Sequence, residues 1–155
     1  MKKPKTYSQI YIQYVFAVKG RQNLLKKQWR QDVFKIISSI ISEKGQKPII
    51  VNGVSDHVHI FAGLKPSMRI SDLVRDIKNQ SANFINRNSL VNNKFSWQDG
   101  YGAFSYSHSH IENVYNYILN QEKHHQKKTF REEYLEFIEK HEIEFHPEFS
   151  FEFYD

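Results

Sequence analysis

The chain has 155 residues, room for one domain with a real core and little room for a second module. Hydrophobic residues make up 39% and aromatics 15%, with six glycines and four prolines, a composition that excludes disordered and fibrous classes. There is no cysteine, so disulfides, thiolate zinc sites and cysteine nucleophiles are excluded, and any metal must sit on nitrogen and oxygen.

A formal charge of +5 and a pI near 9.3 favour a polyanionic partner only modestly, because many basic proteins bind none. The basic start Met1-Lys2-Lys3-Pro4-Lys5 is followed by alternating polar and apolar residues without a small-residue cleavage site. No apolar run approaches the roughly 20 residues of a membrane span. A cytoplasmic protein without membrane association is expected.

From Ser8 to Val18, the residues Ile10, Ile12, Tyr14, Phe16 and Val18 share one parity in a β-branched and aromatic stretch, which predicts a buried first strand. Trp29, Val33, Ile36, Ile37, Ile40 and Ile41 recur at helical spacing and end at Gly45, a fitting residue beyond a helix C-cap. Pro48 to Val54 and His57 to Leu64 predict a strand hairpin joined at Ser55-Asp56. After Pro66, Ile70, Leu73, Val74, Ile77, Phe84 and Ile85 mark a second helix with Arg69, Arg75 and Lys78 on its outer face.

Tyr101 to Ser107 suits a fourth strand. Ser109 with Glu112, and Thr129 with Glu132, form capping-box patterns ahead of a third and a fourth helix. The expected fold is α+β: an antiparallel sheet flanked by helices, ferredoxin-like or RNA-recognition-like. Residues 1–140 form the expected domain, and 141–155 an unassigned aromatic and acidic tail.

On a strand, residues two apart share a face about 6 to 7 Å apart, so His57 and His59 can converge on one cation while Val58 turns to the opposite face. The spacing alone is not diagnostic, since His108 and His110 repeat it where a helix cap is expected. Tyr117 and Gln121, four apart on the third helix, share a face, so a tyrosine can stand beside a metal held partly by a glutamine carbonyl. Tyr115 is turned about 200° from Tyr117 and cannot serve the same site. His124 and His125 diverge by about 100°, which suits stacking, charge or capping roles better than one shared ion. Lys19, Arg21, Lys26, Lys27, Arg69, Arg75 and Lys78 are solvated surface, some of which can line a phosphate track. No glycine loop of the phosphate-cradling kind is present, so no nucleotide cofactor is expected.

Four blocks in order resemble the single-tyrosine HUH transposases of the IS200 type, including those associated with repetitive extragenic palindromes. They are YIQYVFAVKGRQNLL, SDHVHIFAGL, LVRDIKNQSANFIN, and WQDGYGAFSYS with YILNQEKHH and TFREEY, spanning Tyr11 to Tyr134. The resemblance implies that His57 and His59 bind metal, that Tyr117 is the nucleophile, that Gln121 completes the metal site, and that Asp56 has a supporting or turn role. It also implies single-stranded DNA as partner, often with a hairpin, and a homodimer in many members, although others look monomeric. The DNA-contacting candidates are Lys19, Arg21, Arg69, Arg75 and Lys78.

The residue types fit that chemistry. A phenol with a pKa near 10 needs help to lose its proton. A divalent ion, Mg2+ or Mn2+, on two imidazoles and an amide oxygen can offset charge at a scissile phosphate. Attack by Tyr117 would leave a 5′-phosphotyrosine and a free 3′-hydroxyl, and the reverse step would rejoin ends. The alternatives are a noncatalytic single-strand-binding module and a histidine phosphodiesterase that uses water.

Overall fold

The structure is a computed structural model that describes residues 5–20 and 23–146. Strands β1 (Tyr11–Ala17), β2 (Lys47–Gly53), β3 (His57–Gly63) and β4 (Gly102–Tyr106) form one antiparallel sheet in the order β2-β3-β1-β4. Helix α1 (Arg30–Glu43) connects β1 to β2, and α2 (Ile70–Arg87) connects β3 to β4. This is the ferredoxin-like arrangement expected from the order of elements. After β4 the chain makes a 3-10 turn at His108–His110 and adds α3 (Ile111–Leu119), α4 (Gln121–His124) and α5 (Phe130–Lys140).

Strand alternation divides the sheet into two working faces. Ile12, Tyr14 and Phe16 pair across with Ala62, Ile60 and Val58, and this parity joins the core that α1 and α2 close with Val33, Ile37, Ile41, Leu73 and Ile77. The other parity carries Gln13, Val15 and Ala17 opposite Phe61, His59 and His57. Helices α3 and α5 cover it: Val114 and Ile118 pack on Phe61, Phe130 stacks on His57, and Phe137 stacks on Phe104. Both faces are covered, which is why β1 and β3 are apolar almost throughout and still tolerate polar residues on one parity.

Local chemistry fixes the helix ends. Gly45, at φ +77°, follows α1 as the sequence predicts, and its N–H and that of Gln46 bond back to the Ser42 and Ile41 carbonyls. Thr129 caps α5, its hydroxyl accepting from the Glu132 N–H at 3.1 Å. The capping box expected at Ser109 does not form. The 3-10 turn draws Ser109 into the helical path and leaves its hydroxyl beside that of Ser107 at 3.0 Å.

Two long-range contacts position the segment after β4. The Asn52 side-chain amide on β2 donates to the Ile118 and Leu119 carbonyls at 3.0 and 3.2 Å, satisfying the open C-terminal end of α3. Arg30, at the start of α1, has a buried guanidinium that donates to Glu122 of α4 at 2.7 Å and to the Leu25 carbonyl at 3.3 Å. Among the described residues, no helix is long and apolar enough to cross a membrane.

Candidate active site

His57 and His59 are fully buried on β3 and point to the face covered by α3 and α5. Each imidazole is oriented from behind. The His57 Nδ1–H donates to Asp56 at 2.7 Å, and the His59 Nδ1–H donates to Gln13 of β1 at 2.7 Å. With both Nδ1 atoms engaged, both Nε2 atoms face the interior, the orientation a metal ligand needs. Asp56 therefore acts as a support, and Gln13 is a second support that no sequence spacing announced.

Tyr117 lies on the inner side of α3. The helix does not run on to Gln121: it ends at Leu119, and Gln121 opens α4 after Asn120. The break preserves the convergence, because the Gln121 carbonyl oxygen lies 3.3 Å from His57 Nε2 and its amide donates to Glu133 at 3.1 Å. The Tyr117 hydroxyl donates to the same carboxylate. Tyr117 also stacks on His124 with centroids 4.5 Å apart, while Tyr115 is exposed on the far side of the helix.

Glu133 is the centre of the site, and sequence reasoning missed it. One carboxylate oxygen lies 2.9 Å from His59 Nε2, 3.0 Å from His125 Nε2 and 3.2 Å from His57 Nε2. The other oxygen receives Tyr117 and Gln121. His57, His59, His125 and Glu133 form a group whose donor atoms lie within 4.8 Å of one another and can hold a metal ion. Separations of 2.9–3.2 Å match the edges between ligands that each lie about 2.1 Å from one divalent ion, so the donor set fits. The divergence of His124 and His125 is real: one stacks on the tyrosine and the other faces Glu133.

The electrostatics follow from burying one carboxylate among three imidazoles. Burial raises the pKa of Glu133, but the His59 charge and hydrogen bonds from His125, His57 and His59 outweigh it and hold the group far below the usual carboxylate range. Burial opposes charge on His57, yet its hydrogen bonds to Asp56 and Glu133 push it up to about 9. His59 goes down because burial dominates there. Tyr117 is pushed up by burial and by the negative charge of Glu133, so the phenol is held in its protonated, donating form.

The family model described as Transposase IS200 like matches residues 6–121, three quarters of the chain. The chain belongs to the IS200-like transposase family. A crystal structure from Deinococcus radiodurans R1, whose protein carries a provisional transposase assignment, is similar with a TM-score of 0.62 and 23% identity, over 78% of this chain and 98% of that one. A REP-associated tyrosine transposase bound to a REP hairpin is similar with a TM-score of 0.56 and 19% identity, over 80% of this chain and 74% of that one. At those identities the likeness concerns the fold. No curated protein gives a significant sequence match.

In this IS200-like transposase the basic candidates do not gather around Tyr117. Lys78 lies over the Phe16 ring on the opposite side of the sheet and donates to the Gln98 and Gly100 carbonyls at 2.7 and 2.6 Å. Arg75 pairs with Asp72 and Asp76 along α2, Arg69 is exposed at the N-cap of α2, and Lys19 is exposed after β1. Arg21 lies outside the described residues. The lysines beside the tyrosine are others: Lys123, Lys127 and Lys128 line a cavity with His124 and Tyr117. His108 and His110 are exposed and stand apart from the buried cluster.

Glu133 and His125 left little signal. His125 sits in a histidine pair at the end of a short helix, and Glu133 is one of two adjacent acids in the first turn of α5. No local periodicity relates Glu133 to His57, which is 76 positions earlier in the chain.

Proposed function

We propose that this protein cuts and rejoins single-stranded DNA by metal-assisted transesterification, with Tyr117 as the nucleophile. The observation that carries the reading is the meeting of the Tyr117 hydroxyl, the inward Nε2 atoms of His57 and His59, and the Gln121 amide around one buried carboxylate. A tyrosine buried only for packing needs no such set of partners.

In the reaction, the Tyr117 oxygen attacks the scissile phosphorus while its proton passes to the Glu133 carboxylate. The P–O3′ bond breaks, a 5′-phosphotyrosine forms, and the 3′ oxygen leaves as a hydroxyl by taking up a proton from water, to which Glu133 returns the one it received. Attack of a 3′-hydroxyl on the phosphotyrosine reverses the step and joins ends without a nucleotide cofactor. A divalent ion, Mg2+ or Mn2+, held by His57, His59 and Gln121 together with His125 and Glu133, supplies positive charge that offsets the carboxylate and the charge developing at the phosphate. Three imidazoles make the set richer in nitrogen than Mg2+ prefers, which favours Mn2+.

The DNA backbone runs past Lys123, Lys127 and Lys128, whose cavity of about 580 Å³ borders Tyr117. The fold shared with a transposase bound to a REP hairpin supports hairpin-bearing single strands as the substrate.

The test is a denaturing gel with labelled, hairpin-flanked single-stranded DNA from the ends of the element and Mn2+ or Mg2+. A covalent protein–DNA band that disappears in Tyr117→Phe and with chelator is the expected result. Metal-dependent cleavage without an adduct would reassign the nucleophile to water, and binding that survives chelation without any cleavage would leave a single-strand-binding module.

A further inference from the structure

Along an unbroken helix, Tyr117 and His125 would be separated by about 12 Å of rise and about 80° of turn. In the structure both reach one carboxylate: the Tyr117 hydroxyl donates to one oxygen of Glu133, and His125 Nε2 lies 3.0 Å from the other. The chain turns between them at Asn120, where α3 ends and α4 begins. On an unbroken helix His124 would lie within about 20° of the Tyr117 direction and Gln121 about 40° from it, with His125 the outlier. The turn leaves His124 stacked on the Tyr117 ring and brings His125 to Glu133.

At that turn a side chain from the sheet enters the helical ladder. Asn52 on β2 stands directly opposite His59 across the β2–β3 pair, so its side chain leaves the sheet on the face that α3 covers. Its amide donates to the Ile118 and Leu119 carbonyls at 3.0 and 3.2 Å. In a continuing helix those two carbonyls would accept from the Glu122 and Lys123 N–H groups. The Lys123 N–H bonds to the Asn120 carbonyl instead, at 3.1 Å, and the next four-residue bonds are His124 to Asn120 and His125 to Gln121, at 3.1 and 3.0 Å. A side chain inserted into the ladder is a known cause of a sharp kink. Beyond the turn α4 has its own hold, since Glu122 accepts from the buried Arg30 guanidinium at 2.7 Å, so loss of the Asn52 amide leaves this segment attached to the domain.

We infer that Asn52 is a positioning residue that breaks the helix after Tyr117 by drawing the Ile118 and Leu119 carbonyls out of the ladder, and thereby selects His125 over His124 as the imidazole that meets Glu133. One half-buried amide on β2 thus decides how the histidine pair divides its work, with one ring on the tyrosine and the other in the metal-binding group. The effect on metal rests on the metal-binding reading above, while the break itself does not.

The experiment uses the full-length protein with Asn52→Ala and Asn52→Asp, each made with and without His125→Ala. Asp keeps the shape of Asn and has no donor for the two carbonyls, so it should behave as Ala does. In both variants the Cα chemical shifts of Asn120 to Lys123 should move towards the values of a continuous helix. Mn2+ affinity, read by calorimetry, should fall about tenfold for either Asn52 variant in the wild-type background and by less than about twofold when His125 is already absent, because the two changes remove the same interaction. Equal losses in the two backgrounds, or Asn52→Asp matching the wild-type protein, would overturn the inference. Failure of the wild-type protein to bind Mn2+ would sink the metal reading alone; the shifts would still decide the break, and shifts unchanged in folded Asn52→Asp would overturn it.

Discussion

Replacing Glu133 by glutamine removes the charge at the middle of the site and keeps its shape. His57 held up to about 9, against an ordinary value near 6.5, corresponds to about 2–3 kcal/mol of stability at pH 7, shared between Asp56 and Glu133. Glutamine also weakens the bonds from His59, His125 and Tyr117, so the metal-free protein should lose about 3 kcal/mol, the scale of breaking a buried charge pair. A raised histidine pKa contributes stability that is complete below the unfolded value and lost as pH rises through the folded one. The gap between the wild-type protein and Glu133→Gln should therefore be widest just below the unfolded histidine value of about 6.5 and shrink by about 1 kcal/mol between pH 7 and 9.5. Urea denaturation of both proteins in chelator, at half-unit steps of pH, measures it. Equal stabilities at pH 7, or a gap that does not change with pH, would refute the charge pairing of Glu133 with His57.

Metal binding must displace the proton from His57 Nε2, so the Mn2+ association constant should rise about tenfold per pH unit from 7 to 8.5 and level near 9, as read by calorimetry; a flat profile would exclude His57 as a ligand. Gly102→Ala places a Cβ 2.9 Å from the side chains of Phe104 and Tyr134, so it should cost about 1–3 kcal/mol and weaken Mn2+ binding by shifting α5, both measurable on one sample by melting and titration. Among the described residues the buried Tyr14 hydroxyl has no hydrogen-bond partner, so Tyr14→Phe should stabilise the protein by about 1 kcal/mol in thermal melts and leave the site unchanged.

The elements that closed the sheet were legible because their periodicities are unbroken. The parity of Ile12, Tyr14 and Phe16 and the helical repeat of Val33, Ile37 and Ile41 each determine one buried face, and those faces fit together in one way. His57, His59, Tyr117 and Gln121 were legible as two short-range pairs. Their convergence on one point was not, because it depends on Asn52 holding the end of α3 and on Arg30 holding α4 across long sequence separations. The basic residues misled for a physical reason: charge in a sequence carries no sign of which face of a sheet it occupies, and α2 turns Arg75 and Lys78 away from the tyrosine.

The site links the proposed nucleophile to its charge state through one group. Glu133 receives the phenolic proton on one oxygen and meets three imidazoles on the other, so whatever sits among the imidazoles determines how readily the carboxylate can take that proton. With His57 protonated, burial and the carboxylate charge keep Tyr117 a hydrogen-bond donor, and its oxygen is a poor nucleophile. Exchanging that one proton for a divalent cation adds positive charge beside the phenol and favours its ionised form. In the strand-transfer reaction proposed above, this coupling would keep the tyrosine quiet until a metal is in place.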